Sequence, residues 1–498
     1  MEKGQIVTLT IEDMSGEGQG IGRTEEGLVV FVPDAVPGDV VYAELTKVKK
    51  NYAFSKLVQV VEQSEARSEE LCPYAKADLP EKASCGGCPF GIMNYDAQLV
   101  IKENQVLSKL ERLAGISFDS QGPVFNEIIG AAAPYNYRNK AVMPISTGGF
   151  ITKKGGTQIP EHEPRIGFRP NKSNDVIDCE DCWLQAPTAM AAAAATRQFM
   201  EEDHITSYDR RWEKGLMHGM TVKTAFGTGE VMVIYDINGK GIPGAAKLIG
   251  YLDEAIYDAG GSLESVVIRT SKDNKIKVET LAGKPVITDT VEIDTADGIR
   301  EYSFEISAGS FYQVNPVQMQ NLYGVVRDYC ERAAWSSMKK PVVLDLYCGI
   351  GTIGLCMADL AEHVHGIEIV KEAVIDANRN ATINGIVNAT YECGRAEELI
   401  PKWLEAGNLA DVAIIDPPRA GCKPELLSAI AKAGLPHIIY VSCDPATLAR
   451  DIKLLREGAA GNEGDRYDVV EVTPVDMFPH TSHVETVCLL SKKNNDVT

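Results

Sequence analysis

Apolar and polar positions change rhythm several times along the chain. Residues 5–11, 28–32, 40–45 and 54–61 alternate as short strands, punctuated by Gly16, Gly18, Gly20, Gly22, Gly27, Pro33 and Pro37. Short alternating strands with Gly and Pro turns predict a small β-barrel. The polar stretch 62–70 reads as a linker. Leu99, Val100, Val106, Leu107, Leu110 and Leu113 recur near a helical spacing and predict a helix over 94–114, ended by Gly115. Between 128 and 300, β-rich pieces at 142–145, 221–225, 231–236, 265–269 and 276–280 accompany an Ala-rich helix around 187–200. That mixture predicts an antiparallel α+β domain. From Pro341 strands and helices alternate: strands at 342–347, 363–369, 389–392, 411–416, 437–442, 469–474 and 484–491, with helices in the first five gaps, as at 352–360 and 371–383. Alternation implies a parallel, doubly wound sheet. The last two strands lack a crossover helix and must be antiparallel.

The chain has 498 residues, 44% apolar and 24% charged. It is long enough for about three domains with full cores. No apolar run is long enough to span a bilayer, and the polar start Met1-Glu2-Lys3-Gly4-Gln5 has no apolar segment of a leader, so a cytoplasmic protein is expected. Nothing points to an obligate protein partner. The net charge of −21 argues globally against a polyanionic partner. Local reversals change that picture. Between Arg138 and Lys172 there are seven basic and two acidic residues. Lys47, Lys49, Lys50 and Lys56 surround Tyr52 and Phe54, a combination able to hold a phosphate backbone and stack bases.

Candidate chemistry collects at strand ends. Leu344-Asp345-Leu346-Tyr347-Cys348-Gly349-Ile350-Gly351-Thr352 runs a strand through a glycine turn into a helix, where backbone can approach a ligand. Glu368 closes the next strand and can accept both hydroxyls of a ribose. The turn is not the G-x-G-x-x-G of a dinucleotide site, and the closing hairpin does not suit NAD; S-adenosylmethionine is the better ligand. Asp416-Pro417-Pro418-Arg419 ends the fourth strand at the ligand-binding edge. Amine methyltransferases carry an aromatic where Arg419 stands, which disfavours that chemistry. Cys443, before Asp444-Pro445, ends the fifth strand, and Glu485 opens the last. A thiol and a carboxylate beside a methyl donor suit methylation at C5 of uracil: a thiolate added at C6 makes C5 nucleophilic, and a base removes the C5 proton.

Of twelve cysteines, Cys72, Cys85 and Cys88 cluster, followed by Cys179 and Cys182. Cys85-Gly86-Gly87-Cys88 is a two-ligand turn for which zinc is the usual occupant.

Ser310-Phe311-Tyr312-Gln313-Val314-Asn315-Pro316, the glycine turn, Asp416–Gly421, Ser442-Cys443-Asp444-Pro445 and His483-Val484-Glu485 together resemble the RNA uracil-5 methyltransferase family, whose members modify rRNA and tRNA. Residues 1–61 resemble the TRAM domain of many members. The resemblance implies an α/β fold: a class I methyltransferase sheet at 301–498, an OB-like TRAM barrel at 1–62 and an α+β domain at 63–300. It implies Cys443 as nucleophile and Glu485 as proton acceptor. Gln313, Tyr347, Glu368 and Asp416 become contacts of S-adenosylmethionine. Cys72, Cys85, Cys88 and Cys182 become ligands of a 4Fe–4S cluster. Tyr135-x-Tyr137-Arg138-Asn139-Lys140 resembles a family segment and strengthens the RNA-binding reading of its basic stretch. RNA is the expected partner, 23S rRNA before tRNA because the barrel is present. The rivals are a tRNA enzyme and a non-catalytic RNA-binding factor on the same fold.

Overall fold

The alternation near the N-terminus builds a closed barrel of β1 (Ile6–Met14), β2 (Gly20–Arg23), β3 (Val29–Val32), β4 (Val40–Val48) and β5 (Tyr52–Glu62), in the order β1-β2-β3-β5-β4. Inward positions Val7, Leu9, Ile11, Val30, Val32, Val41, Ala43, Leu45 and Ala53 fill it. The glycine-rich stretch read as turns contains a strand, β2. A Cβ at Gly20 would lie 2.7 Å from the Ala35 carbonyl oxygen, and one at Gly22 would lie 2.8 Å from that of Thr10. Glycine there admits a close strand approach rather than a turn. Outside the barrel, Phe31 stacks on Phe54 with centroids 5.5 Å apart, and Tyr52 meets Phe54 edge-on at 5.6 Å. Lys47, Lys49, Lys50 and Lys56 are exposed.

The polar stretch 62–70 is tied down rather than a free linker. Asp39 is fully buried. Its carboxylate accepts from the amides of Val36 (2.8 Å) and Ser64 (3.0 Å) and from Arg67 Nε (3.0 Å) and Nη2 (2.7 Å). A forked guanidinium satisfies the acceptor capacity that the two amides leave.

The computed structural model describes residues 1–75, 84–146, 150–152, 158–160, 164–170, 173–209, 213–272, 275–295, 298–334, 339–458 and 465–493. They form two units: Met1–Gln105 with Phe168–Cys179 and Phe478–His483, and Val106–Gly167 with Glu180–Met477 and Val484–Thr498. The helix α1 (Tyr95–Ala114) stops at Gly115, φ +65°. Its last turns put Val106, Leu110 and Ala114 into one buried cluster with Leu344, Ile415 and Ile438 of the C-terminal sheet.

After β6 (Val124–Phe125) come β7 (Lys140–Ser146), the paired β8 (Phe150–Thr152) and β9 (Gln158–Pro160), β10 (Arg165–Phe168) and β11 (Ile177–Asp178). Then follow α2 (Pro187–Glu202), β12 (Met217–Thr224), β13 (Glu230–Ile237), α3 (Ala245–Asp258), β14 (Ser262–Lys272) and β15 (Lys275–Gly283). Strands β10, β7, β12, β13, β14 and β15 lie side by side. This central sheet is not wholly antiparallel as predicted. β13 and β14 pair in parallel, because α3, which the sequence reading missed, carries the chain back across the sheet. The hairpin β16 (Val286–Thr295) and β17 (Gly298–Ser307) leads through a short loop to α4 (Pro316–Ala334).

The remainder alternates as predicted: β18 (Val342–Leu346), α5 (Thr352–Met357), β19 (His363–Glu368), α6 (Lys371–Ile383), β20 (Ala389–Cys393), α7 (Ala396–Glu405), β21 (Val412–Ile415), α8 (Pro424–Ala433), β22 (His437–Ser442), α9 (Pro445–Glu457), β23 (Tyr467–Val475) and β24 (Glu485–Lys492). The sheet order is β20-β19-β18-β21-β22-β24-β23-β6. Strands β18 to β22 are parallel, and β24 is antiparallel to both neighbours. The two-residue β6 extends the edge in parallel with β23, too short to leave a signal in the sequence. Among the described residues, no helix is long and apolar enough to cross a membrane.

Asp39→Ala leaves Arg67 and two amides without their acceptor. Urea unfolding of the variant is expected to show the first unit destabilised by about 3 kcal/mol. An unchanged midpoint refutes this role.

Candidate active site

Parallel register sets the site. The last paired residues are Leu346 with Ile367, Leu346 with Ile415, and Ile415 with Tyr440. One step further, Tyr347, Glu368 and Asp416 leave three adjacent strands at one edge, where open α/β sheets bind ligands. On the antiparallel side Ser442 pairs with Thr486 and Val475 with Glu485. Cys443 and Glu485 are therefore the next residues in register across β22 and β24. All five residues meet at this edge.

The turn after β18 is tight. Tyr347 has φ +64°, Gly349 +56° and Gly351 +82°. A Cβ at Gly351 would sit 2.7 Å from the Tyr391 hydroxyl, so both conformation and space require glycine. Glu368 accepts from the Gly349 amide (3.1 Å) and the Val370 amide (2.8 Å), which fixes its carboxylate beside the turn. The Thr352 hydroxyl accepts from Tyr323 at 2.8 Å. Beneath, Asp345 accepts from the Gly354 amide at 2.9 Å, while its other oxygen is buried without a partner. Burial pushes Asp345 up to about 7.

The rim is acidic. Asp416 is half-buried and titrates well above the usual carboxylate range, through desolvation first and Asp345 second. Glu485 is buried and its Oε2 has no partner. Desolvation, then Asp416, holds it well above its ordinary value, against Arg419. The half-buried Cys443 thiol is pushed up to about 11 by burial, then by Glu485, while Arg419 pulls it down and Asp416 adds to the rise. Arg419 thus favours both anions. In the sequence it stood out only as a substitute for an aromatic; it was not read as a site residue.

Gln313 lies on the loop between β17 and α4, buried to 6% exposure. Its carbonyl accepts from Asn139 Nδ2 at 2.9 Å, and the carbonyl of Val314 accepts from the Asn139 amide at 2.9 Å. The Asn315 carboxamide accepts from the Gln318 amide at 3.2 Å and so caps α4. This changes the reading of the Tyr135–Lys140 segment. Asn139 is buried and braces the loop, and Lys140 is depressed by burial and then by Arg269. Of the other basic residues expected there, Lys153, Lys154 and Lys172 lie outside the described residues.

Cys72, Cys85 and Cys88 are half-buried in the first unit, where the Cys85 amide donates to the Tyr74 carbonyl at 2.7 Å. Cys182 belongs to the second unit and is also half-buried; Cys179 is buried, its thiol donating to the Ile177 carbonyl at 3.4 Å. Among the described residues, no three His, Cys, Asp or Glu side chains form a group that could hold a metal ion.

A doubly wound sheet with a glycine turn, a fixed carboxylate and a thiol at one edge is an arrangement that suits a methyltransferase. Residues 254–493 match the family described as tRNA (Uracil-5-)-methyltransferase, and residues 1–58 match the TRAM domain. An uncharacterized RNA methyltransferase of Listeria innocua is 36% identical over 499 residues, covering 99% of either chain. One of Clostridium acetobutylicum is 36% identical over 99% of this chain and 98% of its own. The solved tRNA (uracil-54, C5)-methyltransferase of Pyrococcus abyssi, in complex with S-adenosyl-L-homocysteine, superposes with a TM-score of 0.69 at 25% identity, covering 97% of this chain and 100% of that one. The chain belongs to the RNA (uracil-5-)-methyltransferase family, and it is an S-adenosylmethionine-dependent enzyme that methylates C5 of uracil in RNA.

A thiol titrating at about 11 is ionised in roughly one molecule in 10⁴ at pH 7. Alkylation of Cys443 by iodoacetamide, followed by mass spectrometry of its peptide, is expected to quicken about tenfold per pH unit from 7 to 10. Arg419→Ala slows it at fixed pH and Glu485→Gln quickens it. A rate independent of pH between 7 and 9 refutes the electrostatic reading.

Proposed function

We propose that Cys443 is the nucleophile and Glu485 the base of this reaction, with Gln313, Tyr347, Glu368 and Asp416 as contacts of S-adenosylmethionine. The observation that carries the reading is the register of β22 on β24, which makes Cys443 and Glu485 neighbours. The donor supplies an electrophilic methyl group on a sulfonium. Glu368, held by two amides, offers its carboxylate to the ribose hydroxyls. Cys443 loses its proton to solvent, aided by Arg419, and its sulfur bonds to C6 of uracil. The electron pair of the C5–C6 bond makes C5 nucleophilic, and C5 takes the methyl group as the methyl–sulfonium bond breaks and its pair stays on the donor sulfur, leaving a neutral thioether. Glu485 then removes the C5 proton, the C5–C6 double bond re-forms and the sulfur leaves with the pair of the S–C6 bond. The burial that raises Glu485 makes its carboxylate a stronger base once ionised.

The proposed substrate is structured RNA, with 23S rRNA first, held in part by the barrel through Tyr52, Phe54 and the lysines around them. The Pyrococcus abyssi likeness favours a second reading, tRNA, because that protein is a tRNA enzyme and its chain is matched over 97% of this one. We read residues 1–62 as RNA grip, 63–300 as central domain and 301–498 as the methyl-transferring domain. The 4Fe–4S reading of Cys72, Cys85, Cys88 and Cys182 rests on the family resemblance alone, and no step passes through it.

Four experiments test this. Cys443→Ala is expected to abolish transfer, with binding of S-adenosylhomocysteine near normal. Glu485→Gln should turn over slowly and accumulate a methylated RNA–protein adduct that survives denaturing electrophoresis, and 5-fluorouridine RNA should trap the unaltered enzyme at the same stage. Turnover by Cys443→Ala, or a Glu485→Gln enzyme of normal rate without adduct, refutes the assignment concerned. Mapping 5-methyluridine in total RNA of a deletion strain decides the substrate. Loss at a 23S rRNA position supports the first reading, and loss in tRNA replaces it with the second.

A further inference from the structure

Lys223 of β12 is 5% exposed, and no step above uses it. Its Nζ donates to the carbonyls of Ser307 (2.7 Å) and Ser310 (2.9 Å). Those carbonyls frame the turn by which the chain leaves β17. The hydroxyls of the same two serines donate to Oδ2 of Asp376 on α6, at 3.0 and 2.7 Å. The turn is thus gripped from β12 and from α6. Three residues after Ser310 comes Gln313, itself held by Asn139.

The lysine is costly where it stands. Burial, then Lys140 of β7 and Arg269 of β14, bring it down to about 7, with Asp376 acting in the opposite sense. Arg269 is itself paired with Asp236 at 2.8 Å. An apolar side chain of similar length avoids the desolvation of a cation beside like charges. Residues that break a local rule at a stability cost concentrate where function needs them. Here the compensating gain is a fixed turn beside the donor loop.

We propose that Lys223 is a positioning residue for the methyl donor: its two hydrogen bonds fix the turn at 307–310 and through it the placement of Gln313. This rests on the reading of Gln313 as a donor contact.

The test is calorimetric titration of the full chain with S-adenosylhomocysteine, alongside steady-state kinetics. Lys223→Met is expected to weaken binding roughly tenfold to a hundredfold. Its kcat at saturating S-adenosylmethionine should stay within a few-fold of normal, and its Tm within about 3 °C. Lys223→Gln, which keeps an N–H donor, recovers part of the affinity. Asp376→Asn, loosening the other grip, gives the same kind of shift, and the double variant loses less than the sum because both act on one turn. Normal affinity in Lys223→Met overturns the proposal, as does a lowered Tm with unchanged affinity. If that variant does not fold, normal affinity in both Lys223→Gln and Asp376→Asn overturns it. Gln313→Ala separates the two levels: normal affinity there overturns the donor-contact reading itself, whereas weak binding there with normal binding in the Lys223 variants overturns only the role of Lys223.

Discussion

Two residues far apart in the chain meet at the rim because Ser442 faces Thr486 across an antiparallel pair. A slip of one residue in that register turns every side chain of β24 to the other face and takes Glu485 away from Cys443. The slip is prevented from both sides. β24 lies between β22 and β23, and its residues from Glu485 to Leu490 are buried. Because β24 is paired on both edges, a slip breaks two ladders of backbone hydrogen bonds at once in a buried setting. The same rigidity governs the parallel half, where β18, β19 and β21 end level and deliver Tyr347, Glu368 and Asp416 in a row.

The second support comes from the central sheet. The loop from β17 to α4 has no regular structure of its own, yet its backbone is held at successive points by Lys223, Asn139 and the cap of Asn315. A loop satisfied in this way behaves as part of the scaffold. The central domain thereby bears directly on the methyl-transfer region, although its strands carry none of the residues assigned to the chemistry.

What the sequence revealed and concealed follows from where the interactions lie. The C-terminal sheet was legible because buried parallel strands such as Val412–Ile415 are uninterrupted apolar runs between helical stretches. The barrel strands alternate cleanly, apart from β2, whose glycines look like turns until the approach of Ala35 and Thr10 is seen. The helix α3 buries only Leu248, Leu252 and Ile256, and with Gly244 and Gly250 nearby it carries breakers as prominent as its stripe. Tyr347, Glu368, Asp416, Cys443 and Glu485 were readable because each ends or opens a recognisable strand. Lys223 was not, since its partners lie far along the chain and no local pattern marks it; Asn139 stood in a segment read as RNA-binding, and its bracing of the loop between β17 and α4 could not be read because its partners too are distant. The cysteines show the opposite limit: a local C-x-x-C is conspicuous, but a four-ligand set depends on how distant segments meet.

The electrostatics at the rim oppose the free enzyme. Asp345, Asp416 and Glu485 all titrate above the usual range, and two of them keep a buried oxygen without a partner. Each such group costs stability in the absence of a ligand. On the proposed placement of the donor, its sulfonium brings positive charge to this rim, and its arrival favours ionised carboxylates. The same arrival removes part of the repulsion that keeps Cys443 protonated, since Glu485 and Asp416 act against the thiolate. Donor binding and activation of the proposed nucleophile and base are then coupled through one set of charges. Burial, Glu485 and Asp416 together favour the protonated, poorly nucleophilic thiol, which limits stray alkylation or oxidation of Cys443. Under the proposed mechanism, the stability given up by burying Asp345 and Glu485 at the rim thus restricts reactivity to the moment when the donor is in place.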